Sequence, residues 1–283
     1  MQSCSFKLLS NCLKESKGGF YMSVNSYLEN LGSNLILTSS EKENIQKSIN
    51  HLKECLKYYF GSEVNDQFVF GSYTRNTILP RSYDSKSDID YMIVFNNTNS
   101  FKPQTFLNKL KDFAKLYYPN SIIHQDSPTI VLELNHIKFD LVPAYFDFIW
   151  YKIPDGQGGW MITTPNDIND LLVKSNMNNN SKIKPIIRLI KNWNINVAGR
   201  IYESYTLEKK IVSNLGSEYY FCTSYTDYLI KILEKLRNSY YFPCPESNKI
   251  NNAIQKIKDS LNYERQGQYY KALEQIKLVF PED

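Results

Sequence analysis

The chain has 283 residues, 42% of them apolar and 14% aromatic, enough for a sizeable core in two small domains or one bilobal unit. Its 22 Tyr and 15 Phe exclude the aromatic-poor composition of a disordered protein. A balance of 33 Lys plus Arg against 29 Asp plus Glu, net +4, suits an ordinary soluble surface and does not by itself point to nucleic acid.

The five cysteines (Cys4, Cys12, Cys55, Cys222 and Cys244) are odd in number and form no C-x-x-C pair. They argue against a disulfide framework or a structural zinc site and fit a reducing cytoplasm. No apolar run approaches the ~18 residues of a membrane span, so no membrane association is expected. Residues 1–20 contain only a short apolar patch at 6–9 and no signal-peptide core. Met22 opens a cleaner amphipathic segment, so 1–21 reads as a dispensable extension and translation could start at either methionine.

From Thr38 a long helix is expected. Ser39 or Ser40 can cap it, Glu41 and Glu43 lie in its first turn, and Ile45, Ile49, Leu52 and Leu56 recur at spacings of four and three. Gly61 ends it. The middle of the chain then predicts strands at 67–71, 90–95, 121–124, 129–134 and 137–142, with a helix over 103–118 between them. Continuous apolar runs such as Y-M-I-V-F suit buried strands. The D-G-Q-G-G tract at 155–159 reads as a flexible turn near a lobe boundary, and N-M-N-N-N at 176–180 as a loop. Helices are expected at about 166–176, 182–194, 204–214, 224–239, 247–262 and 267–279. Strands first and helices afterwards predict an α+β lobe, 22–160, followed by a helical lobe, 161–283.

The chemistry concentrates in residues 68–95. A hydrophobic strand ends in Gly71-Ser72 and runs into a short helical turn, and Asp88-Ile89-Asp90 then opens a second apolar strand. A third carboxylate, Asp140, lies in I-K-F-D-L-V-P. Residues i and i+2 of a strand point to one face, so Asp88 and Asp90 present paired carboxylates. Magnesium prefers oxygen ligands and binds through a few carboxylates plus substrate phosphates. Two such ions roughly 3.5–4 Å apart can clamp the attacking and leaving oxygens of an in-line phosphoryl displacement. Asp140 would complete the set and help deprotonate an attacking hydroxyl. Gly71 would let the backbone approach a triphosphate, with the Ser72 hydroxyl and following amides donating to it. An isolated D-x-D or Gly-Ser is common; the ordered combination is what carries weight.

The motifs F-G-S-Y-T-R-N-T-I-L-P-R and S-D-I-D-Y-M-I-V-F resemble the polymerase-β-like nucleotidyltransferases. Within them the chain is most similar to the bacterial cGAS/DncV-like group (CD-NTases), relatives of cyclic GMP-AMP synthase and 2′-5′ oligoadenylate synthase. The resemblance runs from about Met22 to the end and includes K-P-I-I-R-L-I-K-N-W-N (184–194) and S-Y-T-L-E (204–208). It implies a mixed-sheet nucleotidyltransferase core, an all-helical C-terminal lobe and a central cleft. It also implies that Arg188 and Lys191 meet the donor triphosphate, Ser204 hydrogen-bonds to it, and Tyr205 stacks on the base. Arg and Lys three apart share a helix face, which equally suits a solvated surface. Asn166 is the candidate for reading an acceptor base, with Thr163 and Asn169 as alternates, and it could equally cap the helix after Pro165.

The implied enzyme uses two Mg²⁺ ions, with Mn²⁺ as a substitute, and joins NTPs (ATP with ATP, GTP or UTP) into a cyclic di- or trinucleotide. Such a product would serve CBASS-type anti-phage signalling by activating a separate effector. A monomer is expected, and an RNA or protein activator stays open; Lys209, Lys210, Lys231, Lys235 and Arg237 could form an RNA-facing surface or simply solvated helix faces. Two alternatives remain: a transferase acting on a tRNA, drug or protein, and a catalytically idle antitoxin-like partner. His51, His124 and His136 form no nucleophile–His–acid arrangement, and there is no Walker A loop or nucleophile elbow.

Overall fold

The structure, a computed structural model, describes residues 13–16, 19–97, 99–213, 219–238 and 244–282. Cys4, Cys12, most of the expected extension and the ends of two predicted helices (214 and 239) lie outside them. The elements begin with β1 (Leu13–Ser16), β2 (Gly19–Met22), α1 (Val24–Asn34), α2 (Ser39–Phe60), β3 (Val64–Phe70) and β4 (Asp88–Phe95). Next come α3 (Pro103–Tyr117), β5 (Ile122–Asp126), β6 (Thr129–Glu133), β7 (Lys138–Asp147), β8 (Trp150–Pro154) and β9 (Trp160–Thr163). Among the described residues six helices follow: α4 (Asn169–Asn178), α5 (Ile183–Asn196), α6 (Ser204–Ser213), α7 (Tyr225–Asn238), α8 (Pro245–Arg265) and α9 (Tyr269–Lys277).

The chain divides into two compact units. One is Leu37–Asn169; the other joins the described residues up to Ile36 to those from Asp170 onward. The α1 segment, assigned from the sequence to the catalytic lobe, therefore packs with the helical unit.

In the first unit, α2 is capped by Thr38 rather than by Ser39 or Ser40. The Thr38 hydroxyl accepts from the Glu41 amide at 3.2 Å, and the Glu41 carboxylate accepts from the Thr38 amide at 2.8 Å. This reciprocal pair satisfies two otherwise orphaned donors, an arrangement worth about 1 kcal/mol. The sheet has the order β3-β4-β7-β6-β5, and β8 extends it from the far half of β7, with β9 paired to β8. All pairings are antiparallel except β4 with β7, which run parallel.

Strand alternation assigns the two faces. Ile89, Tyr91, Ile93 and Phe95 of β4, with Phe139 and Leu141 of β7, join the main core beneath α2 and α3. The alternate positions, Met92, Val94, Val142 and Ala144, form a smaller cluster with Ile153, Phe68, Phe70 and Tyr151 on the other face. The same alternation carried toward the start of β4 and β7 puts Asp88, Asp90, Lys138 and Asp140 on that second face.

Two expectations are corrected here. Strand β7 continues past Pro143 to Asp147, because Pro143 falls between the end of pairing to β6 at Leu141 and the start of pairing to β8 at Tyr145. The D-G-Q-G-G tract turns between β8 and β9 within one unit rather than linking lobes. The Asp155 carboxylate accepts from the amides of Gln157 at 2.7 Å and Gly159 at 2.9 Å, which pins the turn.

In the helical unit, α1 packs against α5, α7, α8 and α9. The Tyr27 hydroxyl donates to the Phe280 carbonyl at 2.7 Å, and the rings of Tyr21 and Tyr269 stack 5.3 Å apart. The asparagine-rich patch is largely the end of α4 rather than a loop, since the Asn176 carboxamide accepts from the Lys184 amide at 3.0 Å. Among the described residues no helix is long and apolar enough to cross a membrane.

Candidate active site

The site is built where β3 ends and β4 begins. Phe70, the last residue of β3, pairs with Asp90, and on the other side of β4 Asp90 lies opposite Asp140 of β7. Neighbouring strands are about 4.8 Å apart, so this register brings the two aspartates side by side. Asp88 lies two residues back on the same face, opposite Lys138.

Gly71 follows directly and has to be glycine. Its φ is +77°, and a Cβ there would sit 1.9 Å from Oδ2 of Asp90 and 2.8 Å from its Cγ. The segment after it is a short run of turns that includes one helical i→i+4 bond, from the Arg75 amide to the Gly71 carbonyl at 3.4 Å. Its internal hydrogen bonds come from the amides of Arg75, Asn76, Thr77 and Ile78 to the carbonyls of Gly71, Ser72 and Tyr73. The amides of Ser72, Tyr73 and Thr74 at the head of the turn lie outside these bonds.

Burial raises the Asp140 carboxyl to about 6, and the neighbouring Asp88 charge adds to this, against the opposing pull of Lys138. Oδ1 of Asp140 is buried, with the Lys138 ammonium 3.2 Å from it. The same ammonium is 3.1 Å from Oδ2 of Asp88. Burial alone would lower the Lys138 ammonium, but Asp88 and Asp140 outweigh it and raise it. Among the described residues no three acidic, imidazole or thiol groups converge as a preformed metal cage. An oxygen-rich magnesium site completed by substrate phosphates does not require one. Three carboxylates on one face, with a single ammonium between two of them, fit a divalent cation.

Lys138 is the site residue the sequence reading passed over. The signal was present: it stands two positions before Asp140, so strand periodicity places both on one face.

The other site candidates are distributed between the units. Asn166 is exposed, precedes α4 without capping it, and its side-chain oxygen accepts from the Asn169 amide group at 3.0 Å. Thr163 ends β9. In the helical unit, Ser204 opens α6, and the Tyr205 ring is 44% exposed with the Lys209 ammonium 5.5 Å from its centroid. A ring so placed can stack on a base, which is worth ~1–3 kcal/mol.

Arg188 and Lys191 require a correction. Arg188 is 6% exposed and donates to the Gly32 carbonyl of α1 at 2.9 Å, its burial lowering the guanidinium to about 10. Lys191 is 3% exposed and pairs at 3.1 Å with Glu208, which is fully buried. Both cations hold helices of their own unit together instead of lining a solvated face. The reason is that α5 is buried on every side from Ile186 to Asn194, polar and apolar residues alike, so no face of that stretch is left for water. Turning Lys191 outward would leave the Glu208 carboxylate buried without its counter-ion, a costly state.

The fold and the aspartate cluster define a polymerase-β-like nucleotidyltransferase. Residues 22–176 match the Second Messenger Oligonucleotide or Dinucleotide Synthetase domain, and the chain belongs to that family of cGAS/DncV-like nucleotidyltransferases, which synthesise cyclic oligonucleotides. It is 25% identical to a probable cyclic nucleotide synthase of Bacillus cereus (strain VD146), over 80% of this chain and 83% of that protein. It is 27% identical to the cyclic AMP-AMP-AMP synthase of Acinetobacter sp. (strain ATCC 27244 / 9458), over 68% of this chain and 57% of that one. Among solved structures, the Vibrio cholerae cyclic AMP-GMP synthase DncV aligns with a TM-score of 0.71 at 12% identity, covering 91% of this chain and 96% of that one. The E. coli MS115-1 CdnC structure with ATP aligns at 0.70 and 12% identity, covering 91% and 98%. At such identities these two likenesses establish the fold.

Proposed function

We propose that this enzyme condenses nucleoside triphosphates, ATP with ATP, GTP or UTP, into a cyclic di- or trinucleotide in a Mg²⁺-dependent reaction that releases pyrophosphate. Asp88, Asp90 and Asp140 would hold the metal, with Mn²⁺ as a substitute. When bound, the ions supply charge neutralisation at the α-phosphate and polarise the attacking and leaving oxygens. The chain's own groups do the rest. Gly71 keeps the backbone flush against Asp90, and the Ser72 hydroxyl and the amides that follow would donate to phosphate oxygens. Asp140 would accept the proton of the attacking ribose hydroxyl. Tyr205 offers a face on which a base can stack, Ser204 a hydroxyl beside it, and Asn166 a carboxamide for a base edge. Arg188 and Lys191 are left out of this scheme and support the helical unit.

The observation that carries the reading is the register of β4 and β7, which gathers Asp88, Asp90 and Asp140 on one face beside a glycine whose added Cβ would run into the Asp90 carboxylate. The family's membership and the names of the relatives support a nucleotide second messenger as product. A CBASS-type anti-phage role acting through a separate effector, in the cytoplasm, extends that reading.

The test is an incubation with Mg²⁺ and the four NTPs labelled on the α-phosphate, followed by phosphatase and mass spectrometry. A phosphatase-resistant species at the mass of a cyclic di- or trinucleotide is expected. Asp88→Ala, Asp90→Ala and Asp140→Ala should each lower its formation by at least about 10²–10³-fold. Near-normal turnover in any of the three would refute the metal assignment. Label transferred to a tRNA or protein instead of a free cyclic product would refute the synthase reading.

A further inference from the structure

The carboxylate face contains a fourth charged group. Lys138 and Asp140 are alternate residues of β7, and Asp88 and Asp90 are their direct partners on β4, so the four positions form a rectangle on one face with Lys138 diagonal to Asp90. Three are acidic and one is basic. The Lys138 ammonium lies between two of the carboxylates, 3.1 Å from Asp88 and 3.2 Å from Asp140. All three of these side chains are half-buried, where unit charges a few ångströms apart interact much more strongly than in water. An ammonium with three donors is a monovalent stand-in for a metal ion at the same oxygens.

We propose that Lys138 is a built-in counter-ion of the catalytic carboxylates: it holds Asp88 and Asp140 together in the metal-free enzyme and competes with a divalent cation for their oxygens. The inference rests on the metal-dependent reading above. Without the ammonium, Asp88 and Asp140 would stand as uncompensated like charges diagonally across adjacent strands, opening the site before substrate arrives. With it, the site stays assembled, and a divalent ion has to displace the ammonium to bind both carboxylates. Metal binding in the absence of nucleotide is thereby weakened. The added charge of a substrate's phosphates favours loading metal and nucleotide together, which limits idle metal occupancy. Lys138 acts as a positioning residue, set on a strand so that its stem can swing aside while its backbone stays in the sheet.

The full-length protein is titrated with Mn²⁺ without nucleotide, free ion being read by electron paramagnetic resonance, and its Tm is measured in EDTA and in Mn²⁺. Lys138→Met should bind Mn²⁺ about ten-fold or more tightly than wild type, because a repelling charge next to the ion is gone. Its Tm in EDTA should be several degrees lower, and its gain on adding Mn²⁺ larger. Lys138→Arg retains the cation and pairs more firmly with carboxylates, so it should keep the EDTA stability and bind Mn²⁺ no better than wild type. Equal Mn²⁺ affinity in Lys138→Met and wild type overturns the proposal, as does tighter binding by Lys138→Arg should the Met variant not fold. Asp90→Asn separates the two levels. If it leaves Mn²⁺ binding intact, the metal assignment itself fails; if it abolishes binding while Lys138→Met matches wild type, only the role of Lys138 fails.

Discussion

Replacing Gly71 by alanine tests the geometry of the site most directly. The new methyl would lie 1.9 Å from Oδ2 of Asp90, whereas ordinary contacts begin at 3.4 Å. One group or the other must therefore move by 3.4 − 1.9 = 1.5 Å. Asp90 is held in the middle of a paired register, so its carboxylate rotates away or the turn after Phe70 shifts. A displacement of about 1 Å at a reacting centre can cost ~10²-fold in rate, and a loss of at least that size is expected in turnover of α-labelled NTP. The φ of +77° adds about 1–2 kcal/mol of backbone strain, readable by urea denaturation. Gly267→Ala isolates the strain: its φ is +73° but nothing lies within 4 Å of the added methyl. That variant should lose similar stability and keep its turnover. Wild-type turnover in Gly71→Ala would refute the claim that the glycine exists to admit the Asp90 carboxylate.

Two further predictions concern the helical unit. Lys191→Met breaks the buried pair with Glu208 and should cost about 3–5 kcal/mol in urea denaturation, far more than loss of a surface cation; a change below about 1 kcal/mol would return Lys191 to the surface. At the start of α7, the Asp227 carboxylate accepts from the amides of Ser224 at 2.9 Å and Thr223 at 3.0 Å. Burial would raise this carboxyl, but the hydrogen bonds from Ser224 and Thr223 outweigh it and hold it below the usual carboxylate value. A depressed carboxyl stabilises the fold above its unfolded value and loses that contribution as pH falls through the folded one. Asp227→Ala should therefore cost about 1 kcal/mol near neutral pH, with the gap to wild type narrowing below about pH 4. A gap independent of pH would contradict the capping role.

Much of the catalytic face was legible along the chain because strands repeat every two residues. Asp88 and Asp90 announce a shared face by spacing alone, and the apolar run after them announces a buried strand. The capped, periodic α2 and the change from strands to helices after Pro165 are equally local signals. Asp140, in the apolar strand pattern I-K-F-D-L-V-P, could be read as a third carboxylate. Its pairing with Asp90 is a matter of register between strands 50 residues apart, which only the assembled sheet decides. The same register turned Lys138, an ordinary lysine in a strand, into the neighbour of two carboxylates. Arg188 and Lys191 show the opposite case. Spacing correctly placed them on adjacent turns of one helix, but whether that helix has a wet side depends on what surrounds it. Packing on every side of α5 made their charges internal and gave each a partner, Gly32 and Glu208, far away in sequence. Local periodicity determines which residues share a face, because it is a property of the backbone; which faces meet, and so which charges are paired, desolvated or free to act, is decided by tertiary packing.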